Sequence, residues 1–347
     1  KENVRYALNL ENIAHHIAIK NNIKAFKLYD GKFKSTLSMV DHIRPDPFIS
    51  LSEFNRVSGA KKIIIKKPYQ YYLYARKRDL YHLKLIKTIS DIFYKILQLC
   101  YGKLRGYEKS KNTYLLDEIL HLWRKRKAFI NYQKIAKCNI KKIKNKKFIF
   151  FPLLTEPEVA LHGIADDFFF QLSAINLIAR DLPADYILVV KEHILAFGRR
   201  PKDFYTQISD LKNVFLADAN EFGLEYVKSC KAVACITGTS AWEAVVMGIP
   251  VISFSKNNIW NFLNHVYYIN KFENLRSVFL SIEKNKYPNK KSVTDGANFY
   301  KIYLSKLIKL KDYNSLIPLS SNINRIPQNF KDIANIIYKS LINKIKN

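Results

Sequence analysis

The residues best suited to hold an anion form a short polar turn between two apolar segments. Thr237-Gly238-Thr239-Ser240 follows the apolar run Ala232–Ile236 and precedes a helix-forming segment that ends at Gly248-Ile249-Pro250. Such a run predicts a buried strand, and a strand–turn–helix unit aims free backbone N–H groups at whatever lies above the strand. We expect an anion there, with Glu243 accepting hydrogen bonds from neighbouring sugar hydroxyls. Similar turns occur in proteins that bind nothing, so spacing alone leaves both interpretations open.

Polar residues also follow two other predicted strands. The first set is Thr155, Glu156, Glu158 and His162, and the second is Lys191, Glu192 and His193, with Arg199 and Arg200 shortly after. In an open parallel sheet, ligands bind outside the C-terminal ends of the strands. Cations and N–H donors from two strand ends, with carboxylates from a third, suit an activated anionic donor and acid–base chemistry. Ordinary solvated charges at the protein surface would account equally well for Glu192 and for the pair Arg199-Arg200.

Strand-forming and helix-forming segments alternate between residues 148 and 254. Strands are predicted at 148–154, 186–191, 214–216, 232–236 and 251–254, and helices at 168–180, 204–211, 221–229 and 241–247. This alternation predicts a parallel sheet with right-handed crossovers. Before it, amphipathic helices are predicted at 85–100 and 114–132. The charge-rich stretch at 141–147 marks the expected boundary between an N-terminal domain (1–145, with a basic helical insertion at about 61–147) and a C-terminal domain (146–347).

The net charge of +29 is uneven, because residues 61–147 hold 25 Lys/Arg against 5 Asp/Glu. Such a surface would attract anionic lipid or nucleic acid. Lysine is abundant throughout the chain, however, and ordinary solvated faces would produce the same bias. No recognisable nucleic-acid-binding motif accompanies the basic region, so we expect no nucleic-acid partner.

Compartment and cofactors are suggested by the cysteines and histidines. The four cysteines are scattered without a CxxC pair and the eight histidines are dispersed, which favours reduced thiols in a cytoplasmic protein and no metal site. No apolar run approaches the roughly 18 to 20 residues that span a bilayer. Peripheral attachment to the inner face of the cytoplasmic membrane stays compatible with this composition.

Four segments carry a family resemblance: FPLLTEPEVALHG, LPADYILVVKEH, GRR and LADANEFGLEYVKSCKAVACITGTSAWEAVVMGIPVISF. Over residues 151–254 the chain resembles the capsule polysaccharide biosynthesis proteins, a family that includes retaining β-Kdo transferases using CMP-Kdo. The resemblance implies an α/β GT-B fold, with two Rossmann-like domains facing a cleft and the nucleotide held by the C-terminal one. Because the chain starts within an α/β pattern, we expect the N-terminal domain to be truncated at its start.

The resemblance also implies an activity and roles for individual residues. Kdo would pass from CMP-Kdo to a glycan or glycolipid acceptor in bacterial capsule or surface polysaccharide synthesis, with no metal or other cofactor. The Lys191-Glu192-His193 stretch corresponds to the family's Glu-His-Pro, so its histidine would approach the donor phosphate. Ile194 stands where the family has proline. Glu158 is the expected catalytic carboxylate, acting with His193.

The remaining implied roles concern donor binding. The Thr237–Ser240 turn would receive the donor phosphate together with Lys191, and Glu243 would lie near the ribose. Arg199 and Arg200 would neutralise the phosphate or a sugar-acid carboxylate by bidentate pairing.

Two alternatives remain open. The same fold would serve a UDP-sugar donor, since a carboxylate near the ribose tolerates either nucleotide. A non-catalytic basic module that binds membrane or nucleic acid through residues 61–147 would explain the charge alone.

Overall fold

The structure, a computed structural model, describes residues 10–32, 36–41, 46–66, 70–106, 109–136, 138–156, 168, 170–270, 274–310 and 328–346. The strands are β1 (Lys27–Asp30), β2 (Thr36–Val40), β3 (Lys147–Pro152), β4 (Tyr186–Lys191), β5 (Val214–Leu216), β6 (Ala232–Cys235), β7 (Val251–Ser253), β8 (Val266–Tyr268) and β9 (Ile308–Lys309).

Helices α1 to α6 precede β3: α1 (Leu10–Lys20), α2 (Leu51–Asn55), α3 (Gln70–His82), α4 (Leu85–Leu104), α5 (Lys109–Ile135) and α6 (Ile140–Ile143). The later helices are α7 (Gln171–Asp181), α8 (Phe204–Ser209), α9 (Gly223–Ser229), α10 (Thr239–Met247), α11 (Arg276–Asn285), α12 (Lys290–Ser305) and α13 (Gln328–Lys346). A short 3₁₀ helix spans Ile194–Ala196.

Six strands form one parallel sheet in the order β5-β4-β3-β6-β7-β8. The chain builds outward from β3 through β4 to β5, then returns to the other side of β3 and continues through β6, β7 and β8. The strand order therefore reverses between β3 and β6, and the C-terminal ends of all six strands lie at one edge. The predicted parallel sheet is confirmed.

The sheet is buried on both faces, which explains its nearly continuous apolar strands. Side chains alternate along each strand, so Ile149 and Phe151 of β3 join one core cluster while Phe148 and Phe150 join the other. In β6, alternate residues divide between the two clusters in the same way. Two helical layers are thus required, one on each face of the sheet.

The chain before β3 contributes to both faces of this sheet. Leu83, between α3 and α4, and Tyr132 of α5 are buried in the first core cluster, whereas Ile49 is buried in the second. Strands β1, β2 and β9 form a separate antiparallel sheet. The described residues of this N-terminal region therefore form helices and an antiparallel sheet, without the parallel strands expected of a second Rossmann-like unit. The domain boundary near residue 146 stays a prediction.

Two elements were not foreseen from the sequence. Strand β8 has only three residues and lies in an Asn-rich segment for which no strand is predicted. Helix α3 carries tyrosines and basic residues without a clear apolar stripe, so its periodicity gave no helical signal.

Candidate anion-binding site

The two segments predicted to meet the donor phosphate lie at the same edge of the sheet. Lys191 ends β4, the turn Thr237–Ser240 follows β6, and β3 lies between these two strands. Because neighbouring strands are about 4.8 Å apart, the two strand ends are separated by roughly 10 Å. This edge includes the reversal in strand order, where open α/β sheets bind their ligands.

The turn after β6 has a backbone that favours glycine. Gly238 has φ of 114° and precedes α10 directly, and a Cβ at this position would lie 3.0 Å from Leu154 Cδ2. Within the described residues, the backbone N–H groups of Thr239, Ser240 and Ala241 have no acceptor; the first internal bond is from Trp242 N to Gly238 O (3.4 Å). Three donors at a helix N-terminus therefore face the edge of the sheet, as an anion requires.

Glu243 follows one helical turn into α10 and is partly buried. Burial raises the pKa of its carboxyl from 4.5 to about 7, against a small opposing effect of the Lys228 ammonium. No described residue donates a hydrogen bond to this carboxylate. A ligand with hydroxyl groups would supply such donors, and the position of Glu243 beside a ribose stays a prediction.

His193 caps the 3₁₀ helix that follows β4. Its Nδ1 accepts a hydrogen bond from the backbone N–H of Leu195 (3.3 Å), which leaves the proton of a neutral ring on Nε2. The side chain is exposed to solvent. Surrounding protein atoms, together with the positive charges of Lys191 and Arg76, lower the pKa of the ring. His193 therefore presents a neutral N–H donor at the edge of the sheet.

Lys191 is buried beside a second cation that the sequence analysis missed. The Lys191 ammonium lies 3.5 Å from the carbonyl oxygen of Ala219, and the guanidinium of Arg76 on α3 donates to the same oxygen and to Glu221 O (2.7 Å). Burial, followed by repulsion from Arg76, lowers the pKa of Lys191 to about 7. In the sequence, the basic run Arg76-Lys77-Arg78 is the signal for this cation, but it falls within residues 61–147, whose charge suggests a membrane or nucleic-acid surface.

Glu192 points into the protein, whereas the next residue, His193, is exposed. Its buried carboxylate accepts hydrogen bonds from Arg200 Nε (2.8 Å) and Nη2 (3.1 Å) and from the Tyr205 hydroxyl (2.8 Å). Arg200 Nη1 lies 3.0 Å from a carboxylate oxygen of Glu156. The guanidinium predicted to bind the donor is thus committed to two protein carboxylates, and its visible role is to hold the loop after β4.

The other predicted residues divide into two groups. Arg199 is exposed, and its charge reaches His121 and Lys125 on α5, where it contributes to lowering both pKa values. Glu158 and His162 lie outside the described residues, so the role of Glu158 stays a prediction.

Among the described residues, no three His, Cys, Asp or Glu side chains are grouped closely enough to ligate a metal. No described helix combines the length and the apolar character needed to cross a bilayer.

The fold and the site together define a class of protein. The six-stranded parallel sheet, buried on both faces and with an open helix N-terminus at its reversal point, is a Rossmann-like α/β unit of the GT-B kind. The capsule polysaccharide biosynthesis protein family matches residues 73–260, more than half of the chain. The chain belongs to this family.

Solved structures with similarity to the chain include a β-Kdo transferase, a UDP-GlcNAc 2-epimerase and a protein in complex with UDP. The Thermosulfurimonas dismutans KpsC β-Kdo 2,7 transferase is 14% identical with a TM-score of 0.35, and the match covers 79% of this chain and 69% of that one. The UDP-GlcNAc 2-epimerase of Methanocaldococcus jannaschii, in complex with UDP-GlcNAc and UDP, is 17% identical with a TM-score of 0.33 and coverages of 51% and 52%.

Anabaena Alr3699/HepE in complex with UDP is 14% identical with a TM-score of 0.33, covering 51% of this chain and 48% of that one. The chain thus spans about half of the length of the epimerase and of HepE. No curated protein matches the chain.

Proposed function

We propose that this protein is a glycosyltransferase of bacterial capsule or surface polysaccharide synthesis that transfers Kdo from CMP-Kdo to a glycan or glycolipid acceptor. Membership of the capsule polysaccharide biosynthesis family supports the transferase class. The observation that carries the proposal is the convergence of two donor sets at one edge of the sheet: the unpaired N–H groups of α10 and the Nε2–H of His193.

The proposed reaction breaks the bond between the anomeric carbon of the sugar and the phosphate oxygen. That oxygen keeps the electron pair and leaves with CMP, while the acceptor hydroxyl oxygen bonds to the sugar and gives its proton to a base, for which Glu158 is the candidate. Preorganised N–H donors stabilise the leaving monophosphate. The positive charges of Lys191 and Arg76, which contribute to lowering the pKa of His193, favour the same negative charge. This stabilisation requires no metal ion from the protein.

Glu243 supports a ribonucleotide as the carrier of the sugar. Its carboxylate has no donor among the described residues, and the two ribose hydroxyls would supply two. A UDP-sugar meets this requirement equally, so UDP-linked donors are the second candidate. A donor panel that measures released CMP and UDP separates the two, and it addresses the Kdo assignment directly.

We infer the location of the protein in the cell from the proposed acceptor and from the positive charge of residues 61–147. A cytoplasmic enzyme that glycosylates a lipid-linked acceptor gains from binding the inner face of the cytoplasmic membrane. The basic region at residues 61–147 is the proposed attachment surface, because anionic headgroups attract clustered Lys and Arg.

The test is calorimetric titration of CMP into the wild type, His193→Ala and a matched control. His16→Ala is the control, because His16 is an exposed histidine on α1. A hydrogen bond to a charged phosphate contributes about 1.5–3 kcal/mol, so the Kd for CMP should rise roughly tenfold or more in His193→Ala. The control should bind like the wild type. Absence of CMP binding to the wild type, or equal Kd values for both variants, would overturn the proposal.

A further inference from the structure

Helix α4 carries a stripe of exposed apolar side chains along its whole length. The stripe residues share one helical face at spacings of three, four or seven: Ile86, Ile89, Phe93, Leu97 and Leu104. Ile86 is 85% and Leu104 87% exposed, at opposite ends of a 20-residue helix that is about 30 Å long. A continuous apolar surface of this length marks an interaction site.

Polar groups of α4 point away from the stripe. Lys87 forms an ion pair with Asp91 (2.6 Å), and Lys95 forms one with Glu118 of α5 (2.6 Å). Thr88 is buried and donates to the carbonyl oxygen of His82 (2.9 Å). These four polar residues of α4 therefore make contacts within the protein, while the apolar residues of the stripe face outward, the reverse of an ordinary surface helix.

Charge identifies the occupant of this face. Residues 84–135 contain twelve Lys/Arg against four Asp/Glu, and exposed cations lie beside the stripe at Lys103 and Arg105. Apolar side chains flanked by lysines and arginines suit the boundary between anionic headgroups and acyl chains. A second copy of the chain would bring two strongly positive surfaces together, which electrostatic repulsion opposes.

We propose that the exposed face of α4 inserts into the surface of an anionic bilayer, with the helix lying parallel to the membrane plane. The inference deepens the membrane attachment proposed above and does not depend on sugar transfer. It differs from attraction by charge alone, because buried apolar side chains hold the protein on the membrane after salt has screened the charges.

Vesicle co-sedimentation tests the insertion. The triple variant Ile86→Ser/Phe93→Ser/Leu104→Ser is compared with Phe48→Ser/Leu51→Ser/Leu280→Ser, which removes three exposed apolar side chains outside residues 61–147. On vesicles of phosphatidylglycerol and phosphatidylcholine, the α4 variant should partition at least tenfold less than the wild type, and the control should match the wild type. Wild-type binding should also persist in part at 1 M salt. Both variants should bind CMP like the wild type, which separates this outcome from failure of the transferase proposal.

The depth to which α4 inserts is measured with vesicles whose acyl chains carry bromine, which quenches the fluorescence of nearby tryptophan. Phe93→Trp is placed in a Trp123→Phe background, because Trp123 is exposed while Trp242 and Trp260 are buried. Leu280→Trp in the same background is the control, since Leu280 is 72% exposed on α11. Quenching should occur in Phe93→Trp and not in the control.

Four results would overturn the insertion. The first is that the wild type does not bind anionic vesicles, and the second is that both triple variants lose vesicle binding equally. The third is that 1 M salt releases all of the bound wild type, and the fourth is that bromine quenches the fluorescence of both introduced tryptophans equally. A lipid-free dimer in analytical ultracentrifugation that Ile86→Ser/Phe93→Ser/Leu104→Ser abolishes would assign the stripe to a second copy instead.

Discussion

Replacing Glu243 by glutamine should stabilise the ligand-free protein at neutral and alkaline pH. Glu243 is partly buried without a hydrogen-bond donor among the described residues, and burial raises the pKa of its carboxyl from 4.5 to about 7. Since one pKa unit corresponds to 1.36 kcal/mol, ionisation of this group costs the folded state about 3 kcal/mol. Glutamine has nearly the same shape and carries no charge.

The pH dependence of the free energy of unfolding follows from proton binding by Glu243 in the folded and unfolded states. Between pH 4.5 and about 7 the folded state holds the Glu243 proton more tightly than the unfolded chain. Wild-type stability contributed by this group is therefore complete below pH 4.5 and is lost as pH rises through 7. The free energy of unfolding of Glu243→Gln should match the wild type near pH 4 and exceed it by up to about 3 kcal/mol at pH 8.

Urea unfolding at pH 4, 6 and 8 measures this difference by linear extrapolation, with an unchanged m-value as the check on compactness. Glu225→Gln on α9 is the matched control, because the Glu225 side chain is 51% exposed and forms a surface ion pair with Lys228 (3.1 Å). Its effect should stay within about 0.5 kcal/mol at each pH. A difference for Glu243→Gln that is independent of pH, or a loss of stability at pH 8, would refute the reasoning.

Two further substitutions test the framework of the site by denaturant unfolding. Arg200→Met should lower the free energy of unfolding by about 3–5 kcal/mol, because it leaves the buried Glu192 carboxylate without its cation. The control is Arg199→Met at the exposed neighbouring residue. Equal losses of stability in the two variants would contradict this role of Arg200. Gly238→Ala should lower the free energy of unfolding by about 1–3 kcal/mol, because φ at this position is 114° and the added Cβ would lie close to Leu154. Gly59→Ala, at φ of 70° with no neighbour within 4 Å, should cost less, so a larger loss there would count against the close approach.

The loop after β4 shows how packing divides adjacent residues. Lys191, Glu192 and His193 were recognised together as one polar segment at a strand end. Successive residues of an extended chain point to opposite sides, so Glu192 enters the interior while His193 reaches solvent. Which residue faces inward depends on the register of β4 against β3 and on the side chains of Tyr205 and Arg200 that receive Glu192.

The sequence by itself determined the parallel sheet and the polar turn Thr237–Ser240, which is typical of an anion-binding site. Local signals were sufficient there, because a strand buried on both faces needs an apolar run and the corner before α10 needs glycine. Only the tertiary structure decided that Arg76, 115 residues before Lys191, lies beside it. It also decided that the apolar stripe of α4 faces outward, because periodicity identifies an amphipathic face without specifying what covers it.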